Sequence, residues 1–454
     1  MLDQATRDPA ALATRVAAHI EADEAWMLDA LKRVVEAQSF SGHEEAAQQV
    51  MRELLEELGF DVRAIPVDTE QLNHHPLYSP VVRELHGCHN LLGEWRGSGT
   101  ASIGATAGAK GAAAADTSNQ AGKSLMISGH VDVVPVGHLP LWQRAPFDTY
   151  IKDGWFYGRG AGDMKGGLIA ALTGLKALVG AGFRPSSPLW FNTVVEEECT
   201  GNGALATVEY LKAHQIRIDA LLDPEPFGES IMSGQVGTVW CQSHLTGRPA
   251  HAMEAHKGLN PIEAAMHIWR RLKEVEARWN PPHASHALFG DHPHPLNFNL
   301  GKMSGGEWAS SVPTTCRVDF RFGIYPGRDP AEAKREVEAA IRAAAAELPE
   351  PPKCEVTFEG FHAPGCVVDL TSAPMQLLAQ CHQRVNGAAP VSYAATGTTD
   401  VRLFQLGAGI PSTCYGPQAQ RIHALDECVE IASLKRVAQV YALFIAGWCG
   451  VTQA

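Results

Sequence analysis

Several features are missing from this chain of 454 residues, and each absence removes a class of function. No apolar segment reaches about 18 residues without a polar interruption, so no membrane-spanning helix is expected. The opening segment, MLDQATRDPAALATRVAAHIEADEAW, has neither the basic start nor the apolar centre of a signal peptide. Acids are scattered among its apolar residues, and it reads as an amphipathic helix. Basic runs are absent too: 37 Lys and Arg face 50 Asp and Glu, for a formal net charge of -13. That balance argues against nucleic acid or an anionic membrane as a partner. The ten cysteines are scattered, with no CxxC pair. They favour reduced thiols in a cytoplasmic protein over a disulfide framework.

What is present fits a globular protein, with 45% apolar and 19% charged residues. The length exceeds one ordinary core, so two domains are expected. Residues 26–59 carry the apolar spacing of two helices, broken at Ser41-Gly42-His43-Glu44, where Ser41 and Glu44 have the spacing of a capping box. HNLLGEW (89–95), SLMISGHVDVVP (124–135), PLWFNTVVEEE (188–198) and IDALLDPEP (218–226) read as strands. A helix follows the glycine-rich loop after residue 153, and ALATVEYLKAHQI is another. This alternation predicts an α/β, mostly parallel, doubly wound sheet. Residues 97–123 are rich in Gly, Ala, Ser and Thr and read as a surface loop extension.

From residue 237 the texture changes. A strand, a helix, two strands, a helix and a strand follow in order, the pattern of an α+β ferredoxin-like unit. The expected division is 1–236 and 359–454 for one domain, with 237–358 inserted between them. The first domain resumes with a helix over PMQLLAQCHQRVNG, a last strand at GIPSTCYGP and a closing helix from Ser433 to Trp448.

His130, Asp163, Glu198, Glu225 and His423 each fall just after an apolar run, where a strand ends and a loop begins. In an open α/β sheet that edge binds ligands. Three carboxylates and two imidazoles there are the ligand set of a two-zinc hydrolytic site. Asp132 lies two residues beyond His130, on the same face of an extended chain, where its carboxylate can hold the second ring nitrogen. Asp163, among glycines before a helix, could cap that helix or bridge two metals. Glu196, Glu197 and Glu198 follow a buried run and repel one another unless cations intervene. Of Glu197 and Glu198, one can bind metal while the other addresses the activated water. Glu225 is held between Pro224 and Pro226, with Asp223 the competing candidate. Asp426 and Glu427 lie close to His423.

Eight motifs now stand in order: GHVDVVP, W followed by PF, YGRGAGDMKGG, EEECTGNGA, DPEP, GRPAHAMEAHKGLNPI, GTTDVRLF and GPQAQRIHALDE. From about residue 26 to the C-terminus the chain resembles the dizinc amidohydrolases of peptidase family M-20. The resemblance implies a zinc-hydrolase catalytic domain with an inserted lid that dimerises. It implies two Zn2+ per subunit, with Co2+ or Mn2+ as possible substitutes. Asp163 would bridge both ions, His130 and Glu225 would complete one site, and Glu198 and His423 the other. Asp132 would orient His130, and Glu197 would be the general base. His251 would reach across a dimer to steady the oxyanion, and Arg321 would pair with a substrate carboxylate that the backbone at Gly397 and Thr398 also receives.

One departure bears on substrate: in the ASSVP segment Ser310 stands where many relatives carry Asn in the lid. The implied reaction is hydrolysis of the amide of an N-acylated amino acid or related small amine. Its alternatives are a dipeptidase or carboxypeptidase, and a deformylase of an N-formyl aminomethylpyrimidine, whose branch LNHHPLYSP resembles. A binding protein without activity would be expected to have lost a ligand or the base, and this chain keeps them all.

Overall fold

The computed structural model describes residues 9–85, 87–95, 122–281, 286–290 and 292–453. Most of the Gly/Ala-rich stretch at 97–123 lies outside the described residues. The amphipathic N-terminal segment forms the helix Pro9–Ala22. Helix Glu24–Glu36 buries Met27, Ala30, Leu31, Val34 and Val35, and Glu45–Glu57 buries Ala47, Met51, Leu54 and Leu55, spacings that align one apolar face. The capping box between them does not form. Glu44 accepts the Gly42 N–H at 2.6 Å, and the Ser41 hydroxyl donates to Glu196. A buried carboxylate without donors is far more costly than an exposed helix N–H, so Glu196 takes the hydroxyl.

The central sheet has six strands, in the order 61–66, 89–95, 189–194, 125–130, 220–223 and 412–414. The first strand was not anticipated. Only His89–Trp95 runs opposite to the rest, so the other five strands share one direction and point their C-terminal ends to one edge. Helices Gly166–Gly180 and Ile431–Cys449 pack against each other over this sheet, and their backbones meet at Gly174, where a Cβ would overlap the Ala438 carbonyl oxygen.

A second apolar core, including Val239, Leu245, Ile268, Leu272, Phe320, Phe322, Val337 and Ile341, lies within residues 236–345. Its strands Gly237–Thr246, Phe298–Gly305, Thr315–Ile324 and Lys353–Thr357 pair antiparallel in the spatial order second, third, first, fourth. Helices Pro261–Trp279 and Pro330–Ala346 complete the ferredoxin-like arrangement. Asn260 and Asp329 cap them, Asn260 accepting the Ile262 and Glu263 N–H groups and Asp329 that of Ala331. A small sheet of Cys366–Val367, Ile231–Gln235 and Ser392–Ala395, not anticipated from the sequence, joins the two parts. No helix among the described residues is long and apolar enough to cross a membrane.

The start of helix Gly166–Gly180 touches the strand end that carries Glu225: a Cβ at Gly167 would overlap the Pro224 carbonyl. Gly167→Ala is therefore expected to destabilise the fold by about 1–3 kcal/mol, the usual penalty of overpacking. A denaturant melt checks this, and an unchanged midpoint would contradict the contact.

Candidate active site

Each of the five residues picked out by their strand-end positions arrives at one place by a different route. His130 is the last residue of its strand, fully enclosed. Asp163 sits in the turn Ala161–Lys165, outside helical geometry, and the Asp163–Met164 peptide is cis. Lys165, not Asp163, occupies the cap position of the following helix. Glu198 lies in the turn after strand Leu189–Val194, Glu225 two residues past strand Ala220–Asp223, and His423 in a loop with φ 58°.

Asp163 joins two triads. Its Oδ1 lies 3.2 Å from His130 Nε2, which is 3.8 Å from Glu225 Oε1. Its Oδ2 lies 3.2 Å from His423 Nε2, which is 3.1 Å from Glu198 Oε2. Within each triad the candidate ligand atoms lie within 4.8 Å of one another. Burial disfavours charge on His130, but the hydrogen bond to Asp163 and the fields of Glu225, Asp132 and Glu197 raise its pKa well above the usual range. Glu198 chiefly raises His423, to about 11. Burial pushes Glu225 well up, reinforced by Asp163, while the hydrogen bonds from the two imidazoles outweigh burial and hold Asp163 low. Two imidazole nitrogens and three carboxylates, crowded at mutual repulsion, are a donor set that fits two divalent ions.

The acid triplet divides. Glu196 turns inward, where the Ser41, Cys199 and Thr200 side chains donate to it. Glu198 faces His423. Glu197 lines the same cleft, 5% exposed, and its Oε1 has no hydrogen-bond partner among the described residues. Burial raises its pKa well above the usual range, with Asp400, Glu198 and Asp132 adding and His130 opposing. The strand ends at Val194, before the triplet, so alternation no longer separates Glu197 from Glu198.

Asp132 acts differently from the sequence expectation. His130 Nδ1 donates to the Asp132 backbone carbonyl at 2.9 Å, while the carboxylate oxygen stands 3.7 Å away. That carboxylate instead accepts the N–H groups of Glu197 (3.2 Å) and Glu198 (3.1 Å). The tight turn after residue 195 aims those amides at it, so Asp132 holds both the histidine and the acid turn. Asp223 lies behind Glu225, buried and off the cleft lining, so Glu225 is the acid that meets His130.

The cleft has a volume of about 390 Å³. Besides the acids and His423, it is lined by Gly397, Thr398 and Thr399 and by apolar Phe227, Tyr393 and Ile422. Gln235, which sequence reasoning missed, holds that loop: Oε1 accepts the Thr399 N–H at 3.1 Å, and Nε2 donates to the Thr399 carbonyl at 2.9 Å. Arg321 reaches the same loop from the second core. Its guanidinium donates to Thr396 O, Asn297 O and Thr238 Oγ1, each at 3.2 Å, all neutral acceptors. It makes no ion pair among the described residues. His251 and Ser310 are not brought to the cleft. They lie exposed on a two-stranded flap, where Ala250–His251 pairs with Ser311–Val312 and Ala252 donates to the Ser310 carbonyl.

Other supporting groups were also missed. Asp400 is 2% exposed with neither carboxylate oxygen hydrogen-bonded among the described residues, and burial raises it to about 7 against the opposing Arg402 at 3.8 Å. Arg402 donates to Thr399 O and Thr200 O, tying the cleft loop to the acid turn. The signal was an Asp-x-Arg pair set against the apolar VRLF run. Glu427 and Arg159 form a buried pair at 2.5 Å behind Asp163.

A sheet edge with paired metal-ligand triads and an unsatisfied buried acid defines a metal-dependent hydrolase. The family model for peptidase family M20/M25/M40 matches residues 126–447, and the chain belongs to that family. A succinyl-diaminopimelate desuccinylase from Ruegeria pomeroyi is 30% identical over 336 residues, 70% of this chain and 82% of that protein. The fold is similar to that of the di-peptidase Dug1p from Saccharomyces cerevisiae (TM-score 0.77, 16% identity, 96% of this chain and 98% of that one). It is also similar to a dinuclear metal-binding M20 peptidase from Bacillus subtilis (TM-score 0.55, 13% identity, 94% and 99%).

Burial and neighbouring acids raise Asp132 to about 6, Asp400 to about 7 and Glu44 to about 8 in the metal-free fold. Unfolded carboxyls titrate near pH ~4. Above that pH the unfolded chain binds fewer protons, so metal-free stability falls as pH rises through the folded values. Metal binds deprotonated ligands, so its affinity rises over the same range. The gap in thermal midpoint between zinc-loaded and metal-free protein is expected to be wider at about pH 8 than at about pH 6. Calorimetry at both pH values checks this, and a narrowing gap would contradict it.

Proposed function

We propose that the protein is a two-zinc deacylase that cleaves the amide of an N-acylated amino acid or related small amine. The observation that carries this reading is the sharing of Asp163 between two candidate ligand triads, with Oε1 of buried Glu197, unpartnered among the described residues, beside them. The name of the desuccinylase relative supports an acyl amine as substrate. His130, Asp163 and Glu225 would hold one ion, and Asp163, Glu198 and His423 the other. Ions held there supply a Lewis acid for the amide carbonyl and lower the pKa of an attacking water.

Glu197, whose burial makes its carboxylate a stronger base than usual, would accept a proton from the attacking water and return it to the leaving nitrogen. The Arg321 guanidinium, a half-buried cation among neutral acceptors, pairs with a substrate carboxylate beside Gly397 and Thr398. His251, with Ser310 beside it, completes the site from the lid of a second copy, supplying a donor to the developing oxyanion. The exposed Met253 and Trp308 of the flap, 81% and 74% accessible, support burial of this surface in a homodimer. In this reading 1–236 and 359–454 form the catalytic domain and 237–358 the lid, and the protein is cytoplasmic. Co2+ or Mn2+ could replace zinc.

A panel of N-acetyl, N-succinyl and N-formyl amines alongside dipeptides tests the reading. Activity is expected on acyl amino acids, abolished by chelation and restored by zinc; turnover confined to dipeptides would favour a dipeptidase. Glu197→Gln is expected to lower kcat by about 10²–10⁴-fold with metal retained. Full activity in that variant would remove Glu197 as the base. Arg321→Ala is expected to raise KM about tenfold or more for carboxylate-bearing substrates, through loss of a charge-assisted hydrogen bond. An unchanged KM would remove that role.

A further inference from the structure

We infer that Glu427 is a positioning residue for the metal site, a clamp that sets both the bridging acid and the loop of its second histidine. The inference rests on the metal reading above. One carboxylate oxygen of Glu427, Oε1, accepts three main-chain N–H groups of a single turn: Gly160 at 3.1 Å, Gly162 at 2.9 Å and Asp163 at 2.9 Å. The other oxygen receives Arg159 Nη1 at 2.5 Å. Arg159 Nη2 in turn donates to the Ala424 carbonyl at 3.0 Å, one residue past His423. The indole of Trp142 lies against the guanidinium, 5.2 Å from it. Glu427 and Arg159 are 1% and 2% exposed, so neither end of this link reaches water.

The geometry has a direct consequence for the metal ligands. Asp163 must present its two oxygens in two directions, one to each imidazole, from a turn with non-helical dihedrals. Its own N–H is fixed by Glu427, which belongs to the loop carrying His423. The clamp therefore sets the spacing between Asp163 and His423. Three parallel amides on one oxygen form an anion-binding cradle, and a charged acceptor makes each of those bonds stronger than a neutral one. There is no room for a larger arrangement: a Cβ at Gly162 would press on both Ala419 and Glu427. Partners of this kind behind a ligand commonly change metal affinity 10–100-fold when removed.

A purely structural ion pair would behave differently from a clamp, because exchanging both buried charges for apolar groups is often neutral for folding. The test uses two double variants of the full chain, Glu427→Leu/Arg159→Met and Glu427→Gln/Arg159→Met. Both lose the ion pair, but only the Gln form keeps an oxygen for the three amides. Zinc titration of the metal-free proteins and the visible spectrum of their Co2+ forms are the readouts. The Leu form is expected to bind zinc about 10–100-fold more weakly and to show a shifted Co2+ band, with the Gln form recovering most of both. Equal affinity and spectra in the two forms would overturn the inference. Should the Leu form fail to fold, Glu427→Asp, whose carboxylate stops one methylene short of the amides, takes its place with the same expectations. A wild-type chain that binds no divalent ion would overturn the metal reading itself, a result distinct from equal affinities.

Discussion

Repulsion among buried carboxylates is the constraint that the rest of this molecule is arranged around. Asp163, Glu197, Glu198 and Glu225 share one cleft, and Asp132, Asp223 and Asp400 stand behind it. Charge packed this densely in a poor dielectric would disperse or protonate. Two imidazoles placed against Asp163 relieve part of it, while burial, with neighbouring acids adding, pushes Glu197 and Glu225 toward the protonated form. Acids crowded in this way favour bound cations, which would relieve the repulsion.

The fold holds such a cluster by spreading it over five chain segments that meet at one sheet edge. No single loop carries more than a fraction of the charge. Rigid supports stand behind each segment: the Asp132 carboxylate under the acid turn, Gln235 under the Thr399 loop, and Arg402 between the two. The close contact of Gly167 with Pro224 fixes the strand end of Glu225 against the helix that follows Asp163. Each support uses main-chain groups, which do not change rotamer and so position a ligand more firmly than a second side chain would.

That these five side chains converge was legible in the sequence because the physical cause is local. An apolar run ending in an acid or a histidine reports both a buried strand and the exposed end where chemistry can occur, and His130, Glu198 and Glu225 all follow that rule. The ferredoxin-like unit was legible for the same reason, since its alternation and helical spacing are short-range. What could not be read depends on groups far apart in the chain. Whether the carbonyl or the carboxylate of Asp132 meets His130 depends on where residues 197 and 198 turn their amides. Ser41 abandons its capping geometry for Glu196, 155 residues away. Gln235 and Arg402 look like ordinary polar residues until the loops they join are adjacent.

The link between Glu427 and the Asp163 turn closes a loop of 264 residues. Local helices and the first strands can form as the chain emerges, but contacts of that separation bear a large closure entropy and come late. His423 and Glu427 lie on the loop before helix Ile431–Cys449, far in sequence from His130 and Asp163. A partly folded chain can therefore hold His130, Asp163 and Glu198 without holding their geometry. The cleft takes shape only when these distant segments meet, so a partly folded chain would lack the enclosed pocket that the finished fold presents.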